Sequence, residues 1–356
     1  MRPLIARIDT QALRHNMQRL RGIAGTARLM TLLKANAYGH DLVLVARALA
    51  DLNERLAVAC LDEAVALRNA GIRTPVLILQ GPYSPDEWDE GLHLGKVEWV
   101  IHHPSQWDWI RTATGSAIWL KFNTGMGRLG LPASEVRTWL DALQNSHHQL
   151  RGIMTHYACA DEPEGEHWHN QHATVSRLAE ALPGALDFSA SNSAALFNGI
   201  HPRETWARPG ISLYGASPYA DRSAEALGLK PVMTLISQVI AVNRIRKGET
   251  VGYGATWTAP RDSRIAVVAA GYGDGYPRHA RTGTPVRVAG HRVPLVGRVS
   301  MDMLTVDVTD YPDVDVGAPV ELWGPGLSVD EVARHADTIS YTLTTGLTAR
   351  VPRQAV

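Results

Sequence analysis

The chain has 356 residues, 45% hydrophobic and 20% charged, and its 35 Lys plus Arg balance its 35 Asp plus Glu. That length accommodates one large domain and a smaller companion, and zero net charge removes the basic field on which nucleic-acid or anionic-membrane binding depends. No apolar run reaches the roughly 18 residues of a membrane span, Met1-Arg2-Pro3 leads into an Ile/Leu strand with no secretory leader, and Cys60 and Cys159 read as free, buried thiols of a cytoplasmic protein.

In chain order, a strand over residues 4–8 precedes a helix over 10–21, and having no helix ahead of it, it is a candidate for the C-terminal sheet. Strands follow at 28–33, 56–60, 76–79, 97–101, 117–122, 150–155, 186–189 and 211–214. Helical patterns fall between them, at 41–50, 62–70, 134–143 and 167–181 among others. Asp62-Glu63 and Ser134-Glu135 supply the capping oxygens and early acids that helix N-termini favour. This alternation predicts an α/β fold, a (β/α)8 barrel over residues 1–230. A doubly wound open sheet is the alternative, because periodicity alone cannot close a barrel. From about Lys230 the texture becomes β-branched and Gly/Pro-punctuated, predicting a mainly-β domain over 231–356 with one clear helix at 329–336.

Functional groups of such a barrel gather at the C-terminal ends of its strands. Lys34-Ala-Asn-Ala-Tyr38-Gly-His40 follows the first strand, where desolvation makes a lysine a nucleophile and base, although an isolated lysine there also snorkels into solvent. Lys121-Phe-Asn-Thr-Gly-Met-Gly-Arg128-Leu-Gly can aim a guanidinium at a carboxylate, or be a plain glycine-rich turn. His156 at a strand end suits a ring partner or a satisfied core position. Ser191-Asn-Ser193 and Arg208-Pro-Gly210-Ile211 are candidates for an anion, helix capping explaining the first nearly as well. Among the C-terminal glycines, Tyr253, Tyr272 and Tyr276 are phenols able to move a proton, or turn residues facing water. The run His167-Trp-His169-Asn-Gln-His172 has no matched acid or cysteine set and reads as a helix surface, so no metal is expected.

Taken in order, Lys34-Ala-Asn-Ala-Tyr-Gly-His, Gly125-Met-Gly-Arg-Leu-Gly, Arg208-Pro-Gly-Ile, Gly271-Tyr-Gly-Asp-Gly-Tyr and Val299-Ser-Met-Asp resemble the alanine racemase family, over essentially the whole chain. The resemblance implies a pyridoxal-phosphate barrel, a C-terminal β domain and a head-to-tail homodimer with shared active sites. It implies that Lys34 holds the cofactor and acts as one of two bases, Tyr253 of the partner subunit being the other. Tyr38, Ser193, Gly210, Ile211 and Tyr341 become phosphate contacts, while Arg208 faces the pyridine nitrogen and His156 orients it. Arg128 and the partner's Met301 hold the substrate carboxylate, Tyr272 and Arg278 form the entrance, and Lys121 is a candidate for carbamylation. Three positions depart from the family pattern: Asn123 for Asp, Asp41 for Gly, and Thr342 for Glu after Tyr341.

The function implied is interconversion of L- and D-alanine, for peptidoglycan or for catabolism. Its competitors are a barrel decarboxylase or aldolase, a racemase of broader substrate range, and a non-catalytic pyridoxal-phosphate-binding barrel. Tyr253 argues against decarboxylation, since a second proton-transfer group is what inversion of a stereocentre demands.

Overall fold

The computed structural model describes every residue except Met1 and Thr114, so Met1 of the Met1-Arg2-Pro3 start lies outside it. Eight of the nine parallel strands of the first sheet build the barrel: β1 (Arg28–Leu32), β2 (Arg55–Val58), β3 (Val76–Ile78), β4 (Val97–Ile101), β5 (Ala117–Asn123), β6 (Gln149–Met154), β7 (Asp187–Ser189) and β8 (Trp206–Ala207), while the short strand Leu131–Pro132 pairs with β5 off that path. Consecutive strands pair in order from β1 to β7, and β8 returns to pair with β1. The last gap is bridged by Thr205 N–H to Phe188 O at 3.0 Å and Arg208 N–H to Ser191 O at 2.9 Å, which makes a nearly closed barrel. β2, β3 and β4 are buried along their whole length, as parallel strands covered by helices must be.

One strand expectation is corrected. Residues 211–214 form a 3-10 turn, Ile211–Tyr214, and the eighth barrel strand is the two-residue β8 ahead of them. Pro209 has no N–H for a ladder, and Gly210 turns the chain immediately after it. The apolar run satisfies burial as a packed turn, so its hydrophobicity misled the strand reading. The C-terminal domain carries helix Val329–His335, where one was expected over 329–336, and also a second helix, Ser340–Thr345, that was not expected. The two cysteines are free but half-buried, not buried.

The N-terminal strand Ile5–Ile8 runs antiparallel to Met233–Ile245, Ile5 opposite Ile236, and parallel to Arg353–Ala355. It therefore adds to the C-terminal sheet, after which Asp9 caps helix Thr10–Ala24 by accepting from Gln11 N–H and Ala12 N–H, each at 2.8 Å. One continuous core spans both parts of the chain. The second part is seated tightly on the residues that follow β1. At Gly39, φ is +82° and an added Cβ would stand 1.9 Å from Thr344 O.

Candidate active site

At the mouth of the barrel lies a cavity of about 450 Å³, lined by groups that follow β1, β3, β5, β6, β7 and β8. Lys34, Lys121, Arg128 and Arg208 converge on it, and no Asp or Glu lines it. The site is therefore built for anions.

Lys34 opens a turn whose next four residues, Ala35 to Tyr38, all have φ near +53°. Left-handed backbone costs a residue with a Cβ roughly 1 kcal/mol or more, so neighbours must hold it. Asn36 Oδ1 accepts from Leu42 N–H at 2.8 Å, and Asn36 O accepts from Asp41 N–H at 3.2 Å. Asp41 itself sits at φ +76°, a conformation that glycine adopts more easily than a residue with a Cβ. Its side chain compensates by capping helix Leu42–Ala48 through Val43 N–H and Leu44 N–H. The turn carries Tyr38 back into the cavity, its ring stacked on Tyr214 with centroids 4.9 Å apart.

Burial lowers the pKa of Lys34, and the charges of Arg128 and Arg208 lower it further, while Glu63 opposes them. Lys121 is pushed down to about 8, first by burial and then by Arg208, Arg128 and Lys34. Burial and the same cations hold His156 well below the ordinary histidine range, so its ring is neutral. Arg208 is buried and donates to Ser189 Oγ, to Thr155 O and, at 3.3 Å, to Ala190 O. His156 Nδ1 lies 3.4 Å from its Nη2, and a neutral ring can accept there.

Ser193 Oγ accepts from Gly210 N–H at 2.9 Å and from Ser212 N–H at 3.4 Å. A Cβ on Gly210 would stand 2.3 Å from the Tyr38 hydroxyl, so only glycine lets that hydroxyl and the Ser193–Gly210 corner share one space. Tyr341 closes the same end. These polar groups, beside four cations and no acid, fit a phosphate monoester with a carbonyl partner for Lys34, which is what pyridoxal phosphate is. Asn123 Oδ1 accepts from Gly125 N–H and Gly127 N–H, at 3.1 and 3.0 Å, and shapes the turn that carries Arg128.

Lys34, Tyr38, Lys121, Arg128, His156, Ser193, Arg208, Gly210 and Tyr341 thus meet at one cavity. Ile211 is buried just beyond and lines a neighbouring cavity. Tyr253, Tyr272, Arg278 and Met301 lie on the second part of the chain, outside this lining; Tyr253 is 67% and Met301 54% exposed. Leu79, Gln80, Leu129, Met154 and Asn192 line the cavity without having been singled out, although Leu79-Gln80 directly follows β3 at the strand edge where such groups gather. Among the described residues no group of His, Cys, Asp and Glu could hold a metal ion.

The sign of the lysine shifts makes a stability prediction. A folded-state pKa below the ordinary 10.5 means that the protonated form of Lys121 opposes folding. That penalty is full below about pH 8 and fades as pH rises from there towards 10.5. In cofactor-free protein the melting-temperature advantage of Lys121→Met over the parent should be largest near pH 7 and shrink by pH 10. Inorganic phosphate should narrow it too; a difference constant with pH contradicts this account.

Residues 8–218 match the family model "Alanine racemase, N-terminal domain" and residues 232–355 match "Alanine racemase, C-terminal domain". The alanine racemase of Hahella chejuensis is 47% identical over 365 residues, covering 99% of this chain and 98% of that protein. The biosynthetic alanine racemase of Pseudomonas aeruginosa is 44% identical, covering 99% of each. A crystal structure of biosynthetic alanine racemase from Pseudomonas aeruginosa superposes with a TM-score of 0.94 at 42% identity, covering 100% of both chains.

Proposed function

This chain belongs to the alanine racemase family, and on that premise we propose how its residues divide the interconversion of L- and D-alanine. The reaction is a racemisation with pyridoxal phosphate as cofactor. The observation that carries the assignment of roles is the convergence of Lys34 with Arg208, Ser193, Gly210 and Tyr38 on one acid-free cavity. When bound, pyridoxal phosphate draws the electron pair away from the amino acid's Cα and makes the Cα proton labile.

Tyr38, Ser193, Tyr341 and the backbone of Gly210 and Ile211 would hold the phosphate, and Lys34 would hold the cofactor covalently through Nζ. Arg208 would face the ring nitrogen, where a guanidinium can donate a hydrogen bond while keeping its proton. Neutral His156 accepts from Arg208 and fixes its plane. Arg128 binds the substrate carboxylate with the partner's Met301. Lys34, its pKa lowered by burial and by its cationic neighbours, moves the proton on the D face of Cα. The partner's Tyr253 moves the proton on the L face, in a homodimer whose subunits share both sites. Tyr272 and Arg278 narrow the entrance and limit substrate size.

Lys121 is proposed to carry a carbamate. Near its lowered pKa of about 8 a sizeable fraction is the free amine, which adds carbon dioxide, releases one proton and becomes an anion facing Arg128. A carbonyl signal from 13C-bicarbonate, absent in Lys121→Ala, and a rate loss of about tenfold in that variant are expected. Full activity without the signal removes the carbamate.

Racemisation itself is tested by optical rotation: pure L-alanine with the holoenzyme should decay to zero rotation, as should pure D-alanine. A persistent excess of either enantiomer, or release of carbon dioxide, contradicts it. The biosynthetic name of the Pseudomonas aeruginosa relative supports a biosynthetic role over catabolism, which we read as D-alanine supply for peptidoglycan by a cytoplasmic enzyme. A strain lacking the gene should then need added D-alanine. No helix among the described residues is long and apolar enough to cross a membrane.

A further inference from the structure

Glu204 is a buried carboxylate with no part in the division of roles above, lying four residues before Arg208 and 4% exposed. Both its oxygens are committed to one short segment. Oε1 accepts from Ala190 N–H at 2.9 Å and from Ser191 N–H at 2.7 Å, and Oε2 accepts from the Ser191 hydroxyl at 2.6 Å. The carbonyls of the same two residues accept from Arg208, Ala190 O from the guanidinium at 3.3 Å and Ser191 O from the backbone N–H at 2.9 Å. Ala190-Ser191 is thus clamped between a carboxylate that takes its N–H groups and an arginine that takes its carbonyls.

Two residues on, Ser193 Oγ holds the Gly210 and Ser212 amides at the corner where the phosphate would sit. The stretch from Ser191 to Ser193 is too short to absorb a shift at one end without passing it to the other. We propose that Glu204 is a positioning residue that fixes the Ser191–Ser193 loop for the cofactor's phosphate, an inference that rests on the pyridoxal-phosphate reading above. Burial raises the Glu204 pKa above the usual carboxylate range, and the hydrogen bonds from Ser191 and Ala190 and the charge of Arg208 only partly oppose it. Arg208 keeps Ser189 and Thr155 as acceptors, so losing Glu204 perturbs the phosphate corner more than the ring side.

Glutamine at 204 can still accept both amides through its oxygen and donate to a rotated Ser191 hydroxyl, preserving shape without charge. Alanine leaves two buried N–H groups unpaired. The test titrates cofactor-stripped enzyme with pyridoxal phosphate and, separately, with pyridoxal, alongside a thermal melt. Glu204→Ala should weaken pyridoxal phosphate about tenfold or more and pyridoxal less than about threefold, and Glu204→Gln should recover to within about threefold of the parent. If the alanine variant does not fold, Ser191→Ala removes one donor to Glu204 and should show the same selectivity on a smaller scale. Unchanged affinity for pyridoxal phosphate, or equal loss for both ligands in step with the melt, overturns the proposal. Failure of the parent to bind pyridoxal phosphate would instead overturn the functional reading beneath it.

Discussion

Replacing Lys34 with alanine should lower racemisation in both directions by roughly 10⁴-fold or more, since in the proposed division of roles one side chain both holds the cofactor and transfers a proton. The geometry makes this loss difficult to compensate. The only other lysine lining the cavity is Lys121, which sits on β5 while Lys34 follows β1. Arg128 and Arg208 stay protonated and cannot act as bases. The fall should therefore appear in kcat, together with loss of the absorbance of covalently held cofactor and of Cα–deuterium exchange for each enantiomer. Racemisation within tenfold of the parent in Lys34→Ala would remove this residue from the mechanism. The turn that presents Lys34 predicts a companion effect. Because Asn36 braces left-handed residues on both sides, loosening it should displace Lys34 without touching the cavity wall.

The legible part of this site was its edge. Lys34, Lys121, His156, Ser193 and Arg208 each sit at or just past the end of an apolar strand, and a strand ending at a polar motif can be read from periodicity and composition. The turn at Ile211–Tyr214 was not legible, because Ile211, Leu213 and Tyr214 around a buried Ser212 satisfy burial equally well as strand or packed turn. The left-handed stretch after Lys34 was hidden for another reason. Ala, Asn, Ala and Tyr carry no local signal for positive φ, and the conformation is imposed by Asn36, by Asp41 and by the C-terminal residues seated on Gly39. Glu204 was invisible because its partners at Ala190 and Ser191 are backbone groups and a hydroxyl, which bear no pattern by which a sequence could match them to a carboxylate. What sequence carries poorly here is long-range hydrogen bonding to the main chain, and that is what holds the catalytic groups in place.

Tyr253 poses the opposite problem: the motif that contains it is distinctive, yet one chain leaves it 67% exposed. It opens a 3-10 turn, Tyr253–Ala255, with Gly252 and Gly254 at φ +77° and +72°. Met301 is likewise 54% exposed. Tyr253 lies outside the lining of its own chain's cavity, and on the two-base reading it would serve the site of the partner subunit. Tyr253→Phe should therefore lower racemisation by about 10²- to 10⁴-fold while leaving cofactor binding intact. The sharper experiment mixes it with Lys34→Ala after dissociation and reassociation. Random pairing of equal amounts makes half the dimers mixed, and each mixed dimer has one site with Lys34 from one chain and Tyr253 from the other. Half of one half gives about a quarter of the parent's activity, recovered from two inactive proteins. If Tyr253 served its own chain's site, every site in the mixture would lack one of the two groups and no activity would return.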